Sequence, residues 1–245
     1  MTRLAYSTLG FVVFLAAWQV IGAWRLAGLT WPPLTDVLAY LADPAHRPLF
    51  VRAASATLRS VAIGYLAGGI AGVGLAALGT LAPVLRPGAD RLAAFVHAIP
   101  ALALAPLFIV LLSREATPAS VSALGVFFVA YVATTAGFAD VTQAHRDLLA
   151  VLGAGARTRF LRLALPAAIP GLATGLKLGV PAALIGAILG EWFGAPRGLG
   201  LLMVSAMQNF QIALLWSAML LTALISLALF RIGAVLERLA VERFR

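Results

Sequence analysis

Long apolar runs without a charged residue constrain this chain more than any other feature of its sequence. Five runs contain no Asp, Glu, Lys or Arg, and a sixth is interrupted only by Lys177. The six runs are Leu4–Trp24, Ser60–Leu85, Leu92–Ser113, Ala116–Ala139, Gly171–Gly190 and Gly198–Phe230. A helix needs about 20 apolar residues to cross the hydrocarbon core of a bilayer. The runs therefore predict an all-α membrane protein with about six transmembrane helices.

The composition agrees with a membrane location. Hydrophobic residues make up 62% of the chain and charged residues 11%, whereas a soluble domain carries roughly 25% charged residues. The absence of cysteine excludes disulfides, thiolate metal sites and cysteine catalysis. The net charge is +9, but the basic residues lie mostly between the apolar runs, where membrane topology accounts for them. We therefore expect membrane lipids, and no nucleic acid, as partners.

The distribution of basic residues predicts the orientation. With the N-terminus inside, the inner segments hold twelve of the 18 Lys and Arg residues and the outer segments hold six. Because basic residues favour the cytoplasmic side, both termini are predicted to be cytoplasmic. The first run is too long for the apolar region of a typical signal peptide, so we interpret it as a retained helix. The predicted divisions are a first transmembrane helix (1–30), an external loop (31–52), a core membrane domain (53–236) with a cytoplasmic loop at 140–170, and a cytoplasmic tail (237–245).

The two larger outer segments carry capping and turn signals. Thr35 or Asp36 is a candidate N-cap of a short helix on the outer surface, and Asp43-Pro44 predicts its end. The segment from Glu191 to about Gln211 contains the sequence GAPRGLG, which is too rich in glycine for a continuous helix.

Several glycines recur at four-residue spacing. The sets are Gly64, Gly68 and Gly72, then Gly171, Gly175 and Gly179, and finally Gly186 and Gly190. This spacing places the glycines of a set on one helix face, where two backbones can approach closely. Packing within one chain is one interpretation, and a subunit interface or a sliding helix is the other.

Catalytic motifs are missing from the sequence. A phosphate-binding loop needs a lysine before Ser or Thr, and the only lysine, Lys177, precedes Leu178. His46, His97 and His145 form no H-x-x-x-H pair, and no G-x-S-x-G sequence occurs. We therefore expect no catalytic residue, metal or cofactor in this chain.

Two charged residues near the predicted membrane are candidates for a translocation path. Lys177 lies about two turns into the fifth run, where its amine either snorkels to the headgroups or lines the inner mouth of a path. Glu191 lies at the outer end of the same run, where it is either solvated or part of the path.

The cytoplasmic loop carries a spaced motif. Asp147 is followed after five residues by Gly153, and after nine more by Leu163-Ala164-Leu165-Pro166. This pattern resembles the E-A-A-x-x-x-G-x(9)-I-x-L-P loop of bacterial ABC importer permeases, with leucines in place of the two alanines. Other stretches strengthen the resemblance to the nitrate/sulfonate/taurine group of these permeases across roughly residues 30–240. They are WPPLTDVL, IPALALAPLFIVLL and GLKLGVPAALIGAILGEWFGAPRGLGLLM.

The resemblance implies a type I ABC importer permease fold and a loop that docks on an ATPase subunit. Small residues would allow close approach, arginines would offer charge-assisted hydrogen bonds, and Phe160 would be an apolar anchor. Pro166 and Pro170 are predicted to break the path into the fifth helix. The residues carried over to this coupling loop are Asp147, Gly153, Ala154, Gly155, Ala156, Arg157, Arg159, Phe160, Leu165 and Pro166.

The same resemblance implies the remaining assembly. The partners would be two ATP-binding cassette subunits, a second permease chain forming a homodimer, and a periplasmic or lipoprotein solute-binding protein. ATP and Mg would be bound by the ATPase partner and not by this chain. The protein would lie in the bacterial inner membrane, and its solute would be a sulfonate-, nitrate- or taurine-like anion or a thiamine-pyrimidine precursor.

Three other interpretations remain at this point. The basic loop is alternatively only a solvated cytoplasmic loop. The chain is alternatively an ATP-independent secondary transporter or channel, which would show inverted repeats, intramembrane charges or broken helices. A membrane enzyme would need clustered catalytic side chains, which the sequence does not bring together.

Overall fold

The computed structural model describes the backbone of residues 2–244, and the side chains of these residues apart from 2–4, 146, 243 and 244. Met1 and Arg245, at the ends of the predicted first-helix and tail segments, lie outside the described residues, as do the side chains of Arg3, Arg146 and Arg243. Every regular element between Thr2 and Phe244 is helical. The α-helices are α1 (Thr2–Ala23), α2 (Leu34–Ala42), α3 (Arg47–Leu81), α4 (Arg86–Ala98), α5 (Ala101–Leu111), α6 (Thr117–Ala139), α7 (Gln143–Val151), α8 (Ala156–Arg159), α9 (Leu165–Trp192), α10 (Leu199–Gln208) and α11 (Ile212–Phe244).

The described residues contain five helical segments long and apolar enough to cross a membrane, or six if α4 and α5 together form one span. The first and fourth spans follow the predicted runs closely. The second is longer than its charge-free run because α3 begins at Arg47. Six residues predicted to lie in the external loop therefore belong to this helix, whose first turns carry exposed arginines.

The third predicted span is not one helix, and that part of the prediction is wrong. Residues 83–98 and α5 meet at an angle of 93°. The break lies at Ile99 and Pro100, both of which have extended ψ angles (123° and 117°). Proline disfavours helical geometry in the residue before it and has no N–H to continue the helical hydrogen bonds. The chain therefore turns sharply at this position.

The fifth span shows the opposite deviation from prediction. Pro166 and Pro170 do not break the path, because one helical segment runs from Ala156 to Trp192. A π-helical turn at Phe160–Ala164 connects α8 to α9. Pro166 follows this π-helical turn as the second residue of α9. Prolines deeper in membrane helices are tolerated where neighbouring groups satisfy the freed carbonyls.

The last predicted run is divided between two helices. A turn at Asn209 and Phe210 separates α10 from α11. The predicted tail is helical as far as it is described, because α11 continues to Phe244.

Close glycine contacts build the centre of the bundle, where α6 packs between α3 and α9. A Cβ placed on Gly190 would lie 2.6 Å from Pro118 Cα, and one on Gly186 would lie 2.7 Å from Ser122 Cα. Gly171 faces Gly137 in the same manner, at 3.0 Å. Gly64, Gly68 and Gly72 approach the backbone or Cβ atoms of α6. These contacts confirm the interpretation of the glycine sets as packing within one chain.

Tryptophans connect α1 and the following segment to α11. The ring centroids of Trp18 and Trp31 lie 5.0 and 4.8 Å from that of Trp216. The short helix predicted after α1 is present as α2 and ends before Asp43, but the predicted cap is wrong. Pro33 occupies the N-cap position, and no side chain caps the helix.

Candidate functional site

Helix α7 forms the first part of the predicted coupling loop and exposes apolar side chains at its C-terminal end. Leu148, Leu152 and Val151 are 56%, 69% and 87% exposed. Asp147, on the same helix, is also exposed and accepts a hydrogen bond from Gln143 Nε2 at 2.8 Å. We call Leu148, Val151 and Leu152, together with Gly155 and Arg157, the α7 surface. A group of exposed aliphatic side chains in a connecting loop is typical of a protein–protein contact.

Gly153 ends α7 and gives the α7 surface its shape. Its φ angle is +68°, a conformation that glycine adopts without steric cost. Its N–H donates to Ala150 O at 3.0 Å, and the N–H of Ala154 donates to Leu149 O at 2.9 Å. This pair of bonds is a Schellman motif, which satisfies carbonyls at a helix C-terminus. The position of Gly153 in the loop motif thus has a conformational reason in this chain.

The small residues after Gly153 lead into a new helix. Gly155 is the N-cap of α8, and its carbonyl accepts a hydrogen bond from the Arg159 N–H at 3.0 Å. Gly155, Ala156, Arg157 and Arg159 are exposed, and Ala154 is half-buried. A Cβ on Gly155 would meet no atom within 4 Å. The surface around Gly155 is therefore open to a second molecule.

The rest of the predicted coupling residues belong to the helix that follows. Phe160, predicted as an apolar anchor for a partner, packs inward instead, with its ring centroid 5.5 Å from that of Phe138. Leu165 and Pro166 form the first turn of α9. They connect the α7 surface to the membrane-spanning part of α9 and do not extend that surface.

Lys177 is engaged within the chain. Its ammonium lies 2.6 Å from Glu237 Oε2 on α11, and the hydroxyl of Thr174 donates to Glu237 Oε1 at 2.6 Å. The same ammonium lies 5.8 Å from the ring centroid of Phe230. The amine therefore finds a carboxylate partner instead of extending freely toward the headgroups.

Glu191 is completely buried, so the interpretation of it as a solvated helix-end residue is wrong. Its Oε2 accepts a hydrogen bond from the Gly200 N–H at 2.7 Å, in the first turn of α10. The adjacent Leu199 N–H donates to the hydroxyl of buried Thr57 on α3, at 2.9 Å. Gly198, with φ +145°, leaves the space that the Glu191 carboxylate occupies. Glu191 and Thr57 thus hold the N-terminus of α10 against α9 and α3.

Lys177 and Glu191 do not form one site. Both belong to α9 and are fourteen residues apart, which corresponds to about 21 Å along a helix axis. Among the described residues, no three His, Asp or Glu side chains group as metal ligands. The described polar clusters connect helices to one another.

Sequence reasoning missed several residues of these clusters. Glu237 falls in the predicted tail, and Thr57 carries no sequence signal that pairs it with a residue far along the chain. The exposed leucines and valine of α7 were detectable in principle. The sequence QAHRDLLAV has polar residues at its start and apolar residues at its end, in a loop that lies between two spans.

A helical membrane fold with an exposed loop between the fourth and fifth spans is the arrangement expected of a transport permease. Residues 64–245 match the family described as binding-protein-dependent transport system inner membrane component. The chain belongs to this family and is a permease subunit of an ABC transporter with the type I fold, a multi-pass membrane protein. The predicted family and fold class are confirmed.

Named relatives come from several transport systems. A protein named "Probable ABC transporter permease protein" from Haemophilus influenzae is 32% identical over 76% of this chain and 76% of its own length. The formylaminopyrimidine transport permease of Halalkalibacterium halodurans is 28% identical over 83% of this chain and 81% of its own. A nitrate import permease from Synechocystis is 26% identical, with 94% and 86% covered.

Proposed function

We propose that this chain is the membrane subunit of an ATP-driven importer and that the α7 surface contacts a cytoplasmic ATPase subunit. The main support for this contact is the exposure of Leu148, Val151 and Leu152 beside a glycine-capped turn. A solvated loop gains nothing from exposing three aliphatic side chains, whereas burial against a partner stabilises a complex by about 25 cal/mol per Å² of apolar area. Arg157, which forms no ion pair with a described residue, supplies a charge at the rim of this contact.

The proposed assembly contains two such chains, two ATPase subunits and an external solute-binding protein. One chain supplies at most six spans among its described residues, and one α7 surface serves one ATPase, so we propose a homodimer. ATP and Mg would be bound by the ATPase, because the only lysine here is paired with Glu237 and belongs to no phosphate-binding loop. Both termini and the α7 surface would face the cytoplasm of a bacterium.

The proposed solute is a small molecule of the kind that the relatives' names indicate. Formylaminopyrimidine and nitrate appear in the names of two of them. A thiamine-pyrimidine precursor or a sulfonate-, nitrate- or taurine-like anion fits this range. The choice between them would be made by the solute-binding protein. Thermal-shift measurements on the cognate binding protein with these compounds would identify the solute.

An ATP-independent transporter is the alternative function, and two structural features favour it. The break between α4 and α5 and the paired Lys177 and Glu237 are of the kind found in secondary transporters. Family membership favours the ATP-driven importer. Uptake into proteoliposomes that contain the permease and ATPase and are supplied with loaded binding protein distinguishes the two. We expect vanadate to abolish this uptake, and vanadate-insensitive uptake driven by an ion gradient would support the alternative.

The contact with the ATPase is tested by placing a charge on the α7 surface. Leu152→Glu and Gly155→Glu each add a carboxylate that a docked partner would have to desolvate, at a cost of a few kcal/mol. We expect both variants to insert normally and to lose co-purification with the ATPase or its stimulation by loaded binding protein. Asn209→Glu, an exposed position on the α10–α11 turn, is the control and should couple normally. Full coupling in both loop variants would contradict the proposal.

A further inference from the structure

A cleft of about 450 Å³ opens between the end of α3, the end of α6 and the segment from Ala156 to Ala164. Two arginines from distant parts of the sequence line it: Arg86 at the start of α4, and Arg159 in α8. The other lining residues include Leu81, Phe138, Phe160 and Leu163. The cleft thus combines two cations with an apolar wall.

Neither of these two arginines forms an ion pair within the described structure. None of the residues that line the cleft is acidic, and neither Arg86 nor Arg159 forms an ion pair or side-chain hydrogen bond with a described residue. Asp90, one turn beyond Arg86, accepts a hydrogen bond from the Tyr131 hydroxyl at 2.6 Å and does not line the cleft. Two unpaired guanidinium groups at one cleft attract an anion and offer forked donors that match phosphate oxygens.

The cleft lies beside the ends of two helical segments that are long and apolar enough to cross a membrane. Arg86 follows the second span, which ends at Leu81, and Arg159 lies in the first turn of the helical segment Ala156–Trp192. The cleft is therefore at a membrane–water boundary, on the same side as the α7 surface. Basic pockets between membrane helices at the cytoplasmic boundary are suited to anionic lipid headgroups. The apolar wall gives the acyl chains of a lipid a surface that a soluble anion would not use.

We propose that this cleft binds the phosphate of an anionic phospholipid. Arg86 and Arg159 would hold the phosphate from two sides, while Phe138 and Leu163 contact the upper part of the acyl chains. The bound lipid would connect the start of α4 to the segment that leads from the α7 surface into α9. The site is a property of the permease alone and does not depend on the proposed ATPase contact.

The test measures lipid bound to the purified permease. The protein is equilibrated in detergent with equal amounts of phosphatidylglycerol and phosphatidylcholine, and retained lipid is counted by native mass spectrometry. We expect wild type to retain phosphatidylglycerol selectively. Arg86→Gln and Arg159→Gln should each weaken retention about tenfold, the effect of losing one charge-assisted contact. The double variant should show no selectivity.

Matched variants distinguish lipid binding in the cleft from general charge attraction and from loss of folding. Arg91→Gln with Arg162→Gln removes the same charge from exposed positions outside the cleft and should leave selectivity unchanged. Arg86→Lys with Arg159→Lys keeps the charge and should keep partial selectivity. Equal losses in the control pair and the cleft pair would overturn the proposal.

Two further outcomes would assign the cleft differently. Displacement of the lipid by millimolar inorganic phosphate would mean that a soluble phosphate, not a lipid, is the ligand. Retention of phosphatidylglycerol by the Gln double variant, together with loss of ATPase co-purification, would mean that the cleft receives an acidic side chain of that partner. Either result overturns the lipid assignment.

Discussion

The ammonium of Lys177 lies 2.6 Å from Glu237 Oε2 and thereby joins α9 to α11. Both side chains are only 19% exposed, so the pair is shielded from bulk water. Thr174, one turn before Lys177, donates to the second oxygen of the same carboxylate. Since α9 is continuous with the segment that follows the α7 surface, this pair connects the last span to the proposed contact with the ATPase.

Removing one partner of this pair should destabilise the bundle. Lys177→Met leaves Glu237 half-buried with only the Thr174 donor, and loss of a charged hydrogen bond costs about 1.5–3 kcal/mol. We expect a lower thermal unfolding midpoint in detergent and recovery in the charge-swapped variant with Lys177→Glu and Glu237→Lys. Arg231→Met, an exposed position on the same helix as Glu237, is the control. An unchanged unfolding midpoint for Lys177→Met would show that the pair contributes nothing to stability. Solute uptake by the same variant tests whether Lys177 also lines the translocation path.

The buried carboxylate of Glu191 should matter as a hydrogen-bond acceptor. Glu191→Leu leaves the Gly200 N–H unpaired in the interior and should cost about 1–3 kcal/mol, whereas Glu191→Gln retains an acceptor oxygen and should be milder. Thr57→Val should have the same effect at the Leu199 N–H, with Thr57→Ser as its control. Thermal unfolding and solute uptake measure the result. Equal effects of Gln and Leu at position 191 would indicate that the charge, and not the acceptor, is needed.

Two glycines of α3 should differ in how well they tolerate a larger side chain, because only one of them packs against α6. Gly68 packs on the backbone of Ala123, whereas Gly74, on the same α3, meets no atom within 4 Å. Gly68→Val must separate α3 from α6 and should prevent correct folding, because overpacking typically costs 1–3 kcal/mol or more. Gly74→Val should be tolerated. The monodisperse fraction after detergent extraction gives the readout, and similar yields for the two variants would argue against the close packing.

The backbone conformation at Gly153 should be more important than the space around it. Gly153→Ala introduces a Cβ at φ +68° and should cost about 1–2 kcal/mol, enough to loosen the end of α7. Gly74→Ala, in α3 with open space around it and outside the α7 surface, should behave as wild type. The two variants are compared by the amount of ATPase that co-purifies with each as the salt concentration is raised. If both alanine variants bind equally, the cap does not shape the contact.

The absence of native cysteine makes the orientation directly measurable. A cysteine replacing exposed Thr158 should react with an impermeant maleimide only from the cytoplasm. A cysteine replacing exposed Asn209 should react only from outside. The arginine distribution predicts this result. Labelling from the opposite sides would reverse the orientation and place the α7 surface away from any cytoplasmic partner.

The sequence by itself determined the class of this protein and most of its spans. Charge-free runs of about 20 residues leave a chain few options other than membrane helices, because an unsatisfied backbone group in lipid costs several kcal/mol. The four-residue glycine spacing determined which helix faces pack closely. The spaced motif from Asp147 to Pro166 located the loop whose exposed face the structure then defined.

Only the tertiary structure decided what the charged and proline residues do. The chain turns by 93° at Ile99-Pro100, whereas Pro170 lies within a continuous helix, so the residue type alone does not determine the outcome. Glu191 is buried because α10 folds back over it, and Lys177 is paired because α11 brings Glu237 to it sixty residues later. Contacts between residues so far apart depend on how whole helices pack, which no local pattern encodes.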